Sequence, residues 1–502
     1  MSKRHQSTPS ADPAGPRQPV RIAATVGLVA ASALAVWMLR EYMRQEQVQF
    51  AVGLLLDRGI GFAWLAFIMA AATAGGLGVL GRVGCLPAGV AARMVFGAAT
   101  GLGAAVLAVL VLGVCGLAHT WLLAALLLAF GLSGLSESRR WVRAAADSAR
   151  SVRPGLTAGK AVWAVLLVFF AINLTRGFEP PWEYDALEYH LGAPAQWHRA
   201  NRITFLRDNV YSNMPFHVEM LYFLSMRLRG TPEDGAALGK LLNCCMAFLT
   251  ALGLRAALAR LCRPLAGDAA AAIYYTWPGV TLYSGMEYVE IAQQFYGVLA
   301  LWALAMACVR EPEQPGRRRW LALCGVMTGF ALGVKYPSAV FVLAPALAAT
   351  VILGLVRRLP VRETCFDAAL VTVLALALWS PWLIRNAVNT GNPVYPLLYS
   401  VFGGKDWTPL QEARWQSRHS PADTRLPQLP AKVWAFLSAP EDGIGSEMLF
   451  LFAPFAVLAG RRCAGLALST AGYAAYAVLA WFYLTHQADR FLAPVVPMLA
   501  AL

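Results

Sequence analysis

The stretch AVWAVLLVFFAINLTRGFEPPWEYDALEYH (161–190) sets the reading of this chain. Residues 161–175 carry no charge and are almost wholly apolar, as a helix in a hydrocarbon core requires. Pro180 and Pro181 then end the helix. Glu183, Asp185 and Glu188 follow within a few residues of the expected membrane surface. On a helix, Asp185 and Glu188 share a face, and crowded carboxylates raise each other's proton affinity, which suits a general base. A solvated acidic turn capping the next helix is the plainer alternative.

Outward from this junction the same alternation recurs. Of 502 residues, 58% are hydrophobic and 14% are charged, with a mean hydropathy of +0.53. Soluble domains carry about a quarter charged residues, so the fold class expected is an all-α polytopic membrane protein of about fourteen transmembrane helices. The spans expected lie near 22–39, 62–80, 94–115, 120–135, 161–175, 237–254, 267–283, 289–308, 320–333, 338–356, 366–384, 447–459, 464–484 and 491–502. Residues 1–21 read as a disordered cytoplasmic tail. Residues 22–160 read as an accessory transmembrane bundle, and 161–502 as the region that carries the chemistry. Two long loops, 176–236 and 385–446, interrupt the short connections. Their many aromatics predict short helices lying at the headgroup level.

With the N-terminus in the cytoplasm, 24 of the 42 Lys and Arg residues fall in internal segments. Short external loops hold only Arg40, Arg44, Arg58, Lys335 and Arg490. This bias fixes the orientation, places both long loops outside a plasma (inner) membrane, and accounts for much of the +14 charge without nucleic acid. Neither long loop contains a cysteine, which excludes a disulfide framework there. The nine cysteines read as small buried hydrophobes. Gly76–Gly81 (GLGVLG) matches a dinucleotide-binding spacing, but it lies inside a span, where small residues serve close helix packing. Gly325, Gly329 and Gly333 form a similar stripe.

Ionisable groups gather at external helix ends. Glu287 and Glu290 (SGMEYVEIAQQFY) sit at one boundary, Lys335 and Tyr336 (ALGVKYPSA) at a second and Arg490 (THQADRFLAPVVP) at a third. Arg385 (SPWLIRNAVNTGNPVYP) opens the second long loop. Acids are costly at such depth unless paired or functional. Carboxylates set beside cations there suit a phosphorylated lipid substrate, although Lys and Arg at span ends also snorkel.

In order and placement, YDALEYH (184–190), YVEIAQQFY (288–296), GFALGVKYPSA (329–339), SPWLIRNAVNTGNPVYPLLY (380–399) and RFLAPVVP (490–497) resemble the GT-C glycosyltransferases that use polyprenyl-phosphate sugars. Among these the chain is most similar to the protein O-mannosyltransferase and aminoarabinose-transferase superfamily. The resemblance covers about 161–502. It implies inverting transfer of a sugar from a polyprenyl-phosphate donor to an acceptor (lipid, glycan or protein) at the external face. Asp185 matches the first-loop carboxylate and would be the general base. The family's adjacent acid pair is absent, which leaves the partner carboxylate open between Glu183 and Glu188, with His190 available to share the work. Lys335, Arg385 and Arg490 would neutralise the departing phosphate. Glu290 would orient the acceptor or a phosphate-bound cation, so a divalent cation stays open as a cofactor; no protein metal-ligand motif is present. Glu287 and Tyr336 complete the substrate-binding set. A transporter or lipid-linked sugar flippase is the alternative function, and a scaffold for envelope assembly a third. The clustering of ionisable groups at external ends, rather than at the bilayer midplane, weighs against a transporter.

Overall fold

The computed structural model describes residues 52–151, 157–309, 316–421, 423–438 and 464–501. Among the described residues every regular element is helical. The helices are α1 (Val52–Arg82), α2 (Val90–Val114), α3 (Thr120–Ser133), α4 (Leu135–Arg150), α5 (Ala158–Arg176), α6 (Gly192–Ala200), α7 (His217–Arg229), α8 (Pro232–Leu261), α9 (Pro264–Tyr275) and α10 (Pro278–Ser284). They continue with α11 (Glu290–Ala307), α12 (Arg317–Val334), α13 (Ala344–Val356), α14 (Val361–Thr390), α15 (Tyr399–Phe402), α16 (Pro409–His419), α17 (Leu429–Ser438), α18 (Ala464–Leu484) and α19 (Val496–Ala501).

Seven of these are long and apolar enough to cross a membrane, and eight if the pair α3 and α4, bent by 63°, counts as one span. The chain is a multi-pass membrane protein, and the described residues hold seven or eight recognisable spans against fourteen expected for the whole chain. The tail 1–21 and the expected spans 22–39 and 447–459 lie outside the described residues. The expected span 267–283 is two short helices, α9 and α10, because Pro278 holds Trp277 in an extended conformation and stops the first. The last expected span, 491–502, begins as a 3-10 turn (Asp489–Val495) before α19. Helices α11 and α12 match the expected spans 289–308 and 320–333 but run through the interior and bury polar groups. In α11, Gln293 donates to Ser338 Oγ (3.0 Å); Gln294 donates to the Ala493 carbonyl (3.0 Å) and accepts from the Tyr274 hydroxyl (2.7 Å). Each buried amide is thereby satisfied, as a low-dielectric interior demands.

The glycine stripes are packing faces. A Cβ on Gly76 would stand 1.9 Å from the Gly97 carbonyl oxygen of α2, and one on Gly329 would stand 2.8 Å from that of Ala375 on α14. Backbone thus meets backbone where no side chain fits. The N-terminal helices are packed onto the rest of the bundle: Phe96 of α2 sets its ring against Trp302 (4.9 Å) and Trp320 (5.8 Å). Among the cysteines Cys85, Cys244 and Cys324 are buried as expected, whereas Cys115, Cys308 and Cys365 are exposed on helix surfaces or ends.

The first long loop departs from its expected place at the surface. Its helix α7 is buried over almost its whole length, from His217 to Met226, because residues 216–226 are too apolar to stay in water. The second loop starts later than expected, since α14 continues to Thr390 and is stopped by Gly391 at φ 79°. The two loops hold each other: Arg207 donates to Asp406 (2.9 Å), and the Tyr211 ring lies 5.5 Å from Trp415.

Candidate active site

After α5 the chain runs without regular structure through Glu183, becomes helical at Tyr184 and Asp185 and forms a π-helical turn over Ala186–His190, closed by the Leu191 N–H on the Ala186 carbonyl. Single π-turns of this kind recur at functional sites. Here the turn brings Asp185, Tyr189 and His190 into the wall of one cavity. The Asn209 amide anchors it from outside by donating to the Glu188 carbonyl (2.8 Å).

That cavity, of about 340 Å³, is walled by both long loops, by the corner after α12 and by the turn after α18. Two ion pairs and a histidine–carboxylate contact surround it. Arg490 Nη1 lies 2.5 Å from Asp185 Oδ2, Lys335 Nζ 2.7 Å from Glu290 Oε1, and His190 Nδ1 2.6 Å from Glu219 Oε1. Glu219 and Glu290 are each 1% exposed, and each keeps one carboxylate oxygen without a hydrogen-bond partner. Burial works against the Arg490 charge, but the carboxylates of Glu290 and Asp185 outweigh it and hold the guanidinium protonated. Burial and the negative charge of Asp185 together push the Tyr189 phenol well up.

Aromatic rings complete the wall. Trp415 and His419 stack with centroids 3.7 Å apart, His486 lies edge-on to Phe491 at 4.5 Å, and Lys335 sits 4.2 Å over the Phe491 ring. Because a carbonyl only accepts, His419 Nδ1 donates to the Trp415 carbonyl (2.9 Å). Burial, followed by the nearby positive groups, lowers the His486 pKa to about 4.

A second cavity, of about 640 Å³, lies on the other side of the Asp185–Arg490 pair, and both residues line both spaces. Its wall also holds Glu183, whose carboxylate accepts from the Tyr288 hydroxyl at 3.2 Å.

The structure therefore brings together Asp185, Glu183, His190, Glu290, Lys335, Tyr336 and Arg490. Three other expected site residues stand apart. Glu188 is exposed and lines neither cavity. Glu287 is buried against Lys240 (3.2 Å), a cation from the middle of an apolar stretch in α8 that also donates to the Glu179 carbonyl. Arg385 turns inward to the Ser212 carbonyl (3.1 Å) and lies 5.4 Å from the Trp197 ring. Glu219, Tyr189, Tyr211, Trp415, His419 and His486 line the first cavity but were not singled out from the sequence. A carboxylate inside the apolar run FHVEMLY is the one signal that marked Glu219 in advance. Among the described residues no three His, Cys, Asp or Glu side chains converge to hold a metal ion.

A helical membrane bundle with an acid–cation cluster under two long loops agrees with the GT-C resemblance. Residues 213–384 match the family described as dolichyl-phosphate-mannose-protein mannosyltransferase. The match bears out the resemblance drawn from the motifs: the chain is similar to GT-C glycosyltransferases of the protein O-mannosyltransferase and aminoarabinose-transferase superfamily. Solved structures resembling it include ArnT from Cupriavidus metallidurans bound to undecaprenyl phosphate, at 16% identity and a TM-score of 0.46 over 68% of this chain and 58% of that one. Another is the Archaeoglobus fulgidus oligosaccharyltransferase tethered with an acceptor peptide, at 14% identity and a TM-score of 0.39 over 67% of this chain and 49% of that one. The chain thus spans between about half and three fifths of the length of these neighbours. No curated protein matches it.

Proposed function

We propose that the chain is an integral membrane glycosyltransferase that moves a sugar from a polyprenyl-phosphate donor to an acceptor hydroxyl at the external face of the plasma membrane, with inversion. The observation that carries this reading is the Asp185–Arg490 pair, which forms a wall common to two cavities of opposite character. The first combines Lys335 and Arg490 with apolar side chains such as Val334, Phe341 and Leu484, a setting for a phosphate on a lipid. The second is acidic and aromatic, a setting for an attacking hydroxyl whose carrier bears no phosphate of its own.

In the reaction Asp185 takes the proton of the acceptor hydroxyl as its oxygen attacks the anomeric carbon. The bond from that carbon to the phosphate oxygen breaks on the opposite side, and polyprenyl phosphate leaves with the electron pair. The leaving group is already an acidic phosphate, so no second carboxylate need protonate it. Lys335 and Arg490 neutralise the charge it gains, and fixed cations in a water-poor cavity do this without reorganisation. Arg490 has a double part: one edge of its guanidinium engages Asp185, and its remaining N–H groups face the phosphate. Glu290 keeps Lys335 extended toward the cavity.

The test is transfer from a radiolabelled polyprenyl-phosphate-sugar pool by purified protein, wild type against Asp185→Asn at equal folded yield. Loss of labelled product in the variant alone is expected. Equal turnover in both would overturn the assignment of the base.

A further inference from the structure

The glycosyltransferase reading leaves the acceptor unnamed, and the second cavity carries information about it. Glu183, Asp185 and Asp489 bring three carboxylates to its wall, against Arg490 as the guanidinium there. That guanidinium is already engaged by Asp185 at 2.5 Å and lies 5.4 Å from the Tyr288 ring. An acceptor bearing phosphates or carboxylates near its reacting hydroxyl would meet net negative charge, which disfavours it by several-fold to orders of magnitude at such range.

The hydrogen-bonding inventory narrows the class further. Ionised carboxylates only accept, and the Tyr288 hydroxyl is spent on Glu183. The Gln487 amide is likewise spent on the Asp423 and Phe482 carbonyls (2.8 Å each), so the three carboxylates are the main hydrogen-bonding groups of the wall, with the Trp182 indole and Tyr184 hydroxyl as donors at its mouth. A peptide brings a carbonyl for nearly every N–H and would leave its acceptors unmatched. A sugar hydroxyl carries donor and acceptor on one atom, so it can turn its O–H to a carboxylate without stranding a separate carbonyl. Two large rings stand at the same mouth: Trp182 and Tyr184, flanking Glu183 in sequence, are 66% and 73% exposed. Rings of this kind present a negative face to the C–H face of a sugar ring, while adjacent carboxylates take its hydroxyls.

We propose that the acceptor is an uncharged glycan, whose terminal sugar stacks on Trp182 and Tyr184 and offers a hydroxyl to Asp185. The proposal rests on the glycosyltransferase reading, but its test separates the two. Purified full-length chain in detergent, fluorescently labelled, is applied to an array bearing uncharged oligosaccharides, phosphorylated sugars and peptides. Retention on uncharged oligosaccharides is expected. Trp182→Ala with Tyr184→Ala should weaken it about tenfold or more, the worth of two stacking contacts, while leaving binding of undecaprenyl phosphate unchanged. Both side chains are largely in water, so the double variant keeps its fold, checked by an unchanged Tm. Retention on phosphorylated sugars or peptides instead, or no retention on any uncharged oligosaccharide, overturns the proposal. Asp185→Asn should still bind the array; if it also still transfers sugar, the mechanism fails while the acceptor class stands.

Discussion

Arg490 and Asp185, 305 residues apart in sequence, close on each other at 2.5 Å and together form the boundary between two cavities. The pairing sets an opposite charge against a half-buried carboxylate, and burial together with that carboxylate pushes the neighbouring Tyr189 phenol well up. Arg490→Lys keeps the charge but loses the fork that can serve carboxylate and phosphate together. Transfer should fall about tenfold for lysine and roughly 10²- to 10³-fold for Arg490→Gln, the range seen when one oxyanion contact is removed. Single-turnover transfer by the three proteins measures this, and equal rates would remove Arg490 from the reaction.

Lys335 and Glu290 make a second prediction, about stability. Lys335→Met strips the buried Glu290 carboxylate of the cation 2.7 Å from it and leaves it the more distant charge of Arg490, a loss of up to about 3–5 kcal/mol. The double variant Lys335→Met with Glu290→Gln should recover most of the loss in thermal unfolding, yet remain inactive. Recovery of transfer along with stability would show that the pair serves only the fold.

Glu219 fixes which nitrogen of His190 carries the proton, since its ionised oxygen can only accept from Nδ1 at 2.6 Å. That leaves Nε2 as the other face of the ring. Glu219→Gln should reduce transfer about 10- to 100-fold, the worth of a hydrogen bond to a charged group, and Glu219→Asp should restore part of it. If Gln and Asp variants are equally active, the dyad has no part in positioning.

Protons at His486 bear on acid stability. Its pKa is lowered to about 4, first by burial and then by His419, Arg490 and Lys335, with Asp185 opposing. The unfolded chain binds a proton near pH 6.5, whereas the folded chain does not until about pH 4. Stability is therefore lost as pH falls through this window. His486→Gln should flatten the fall of Tm between those two values, and a parallel fall in both proteins would contradict the assignment.

Gly329 tests the interior. A methyl group there would press on the Ala375 carbonyl oxygen of α14 at 2.8 Å. Gly329→Ala should cost about 1–3 kcal/mol, as overpacking does, whereas Gly465→Ala, with open space around it, should cost far less. Thermal unfolding of the two variants side by side decides it.

How far these features could be read from sequence depends on what each residue must touch. Asp185, Lys335 and Arg490 were legible because a charge at the end of an apolar run is conspicuous whatever the tertiary structure. Glu287 and Arg385 were equally conspicuous yet serve burial. Nothing local reveals that Lys240, in the middle of α8, is the partner of Glu287, or that Arg385 turns toward the Ser212 carbonyl. The small-residue stripes were read correctly since close backbone approach leaves no other choice of residue. Helix α7 was misplaced because an apolar helix under a loop and one at a headgroup layer share a composition. Helix α11 likewise carries the buried amides of Gln293 and Gln294, whose partners lie on other elements and leave no mark in the local apolar run.

The clasp between the loops has a consequence for anyone recombining this protein with its kin. Arg207 on one loop grips Asp406 on the other, and the ring column from Tyr189 through Tyr211 to Trp415 crosses between them. The acidic motif thus takes its bearings from a segment two hundred residues further on. A chimera that imports one loop without its counterpart would carry the acidic motif intact in sequence and lose the contacts that set its position, so the two loops are exchanged safely only as a matched pair.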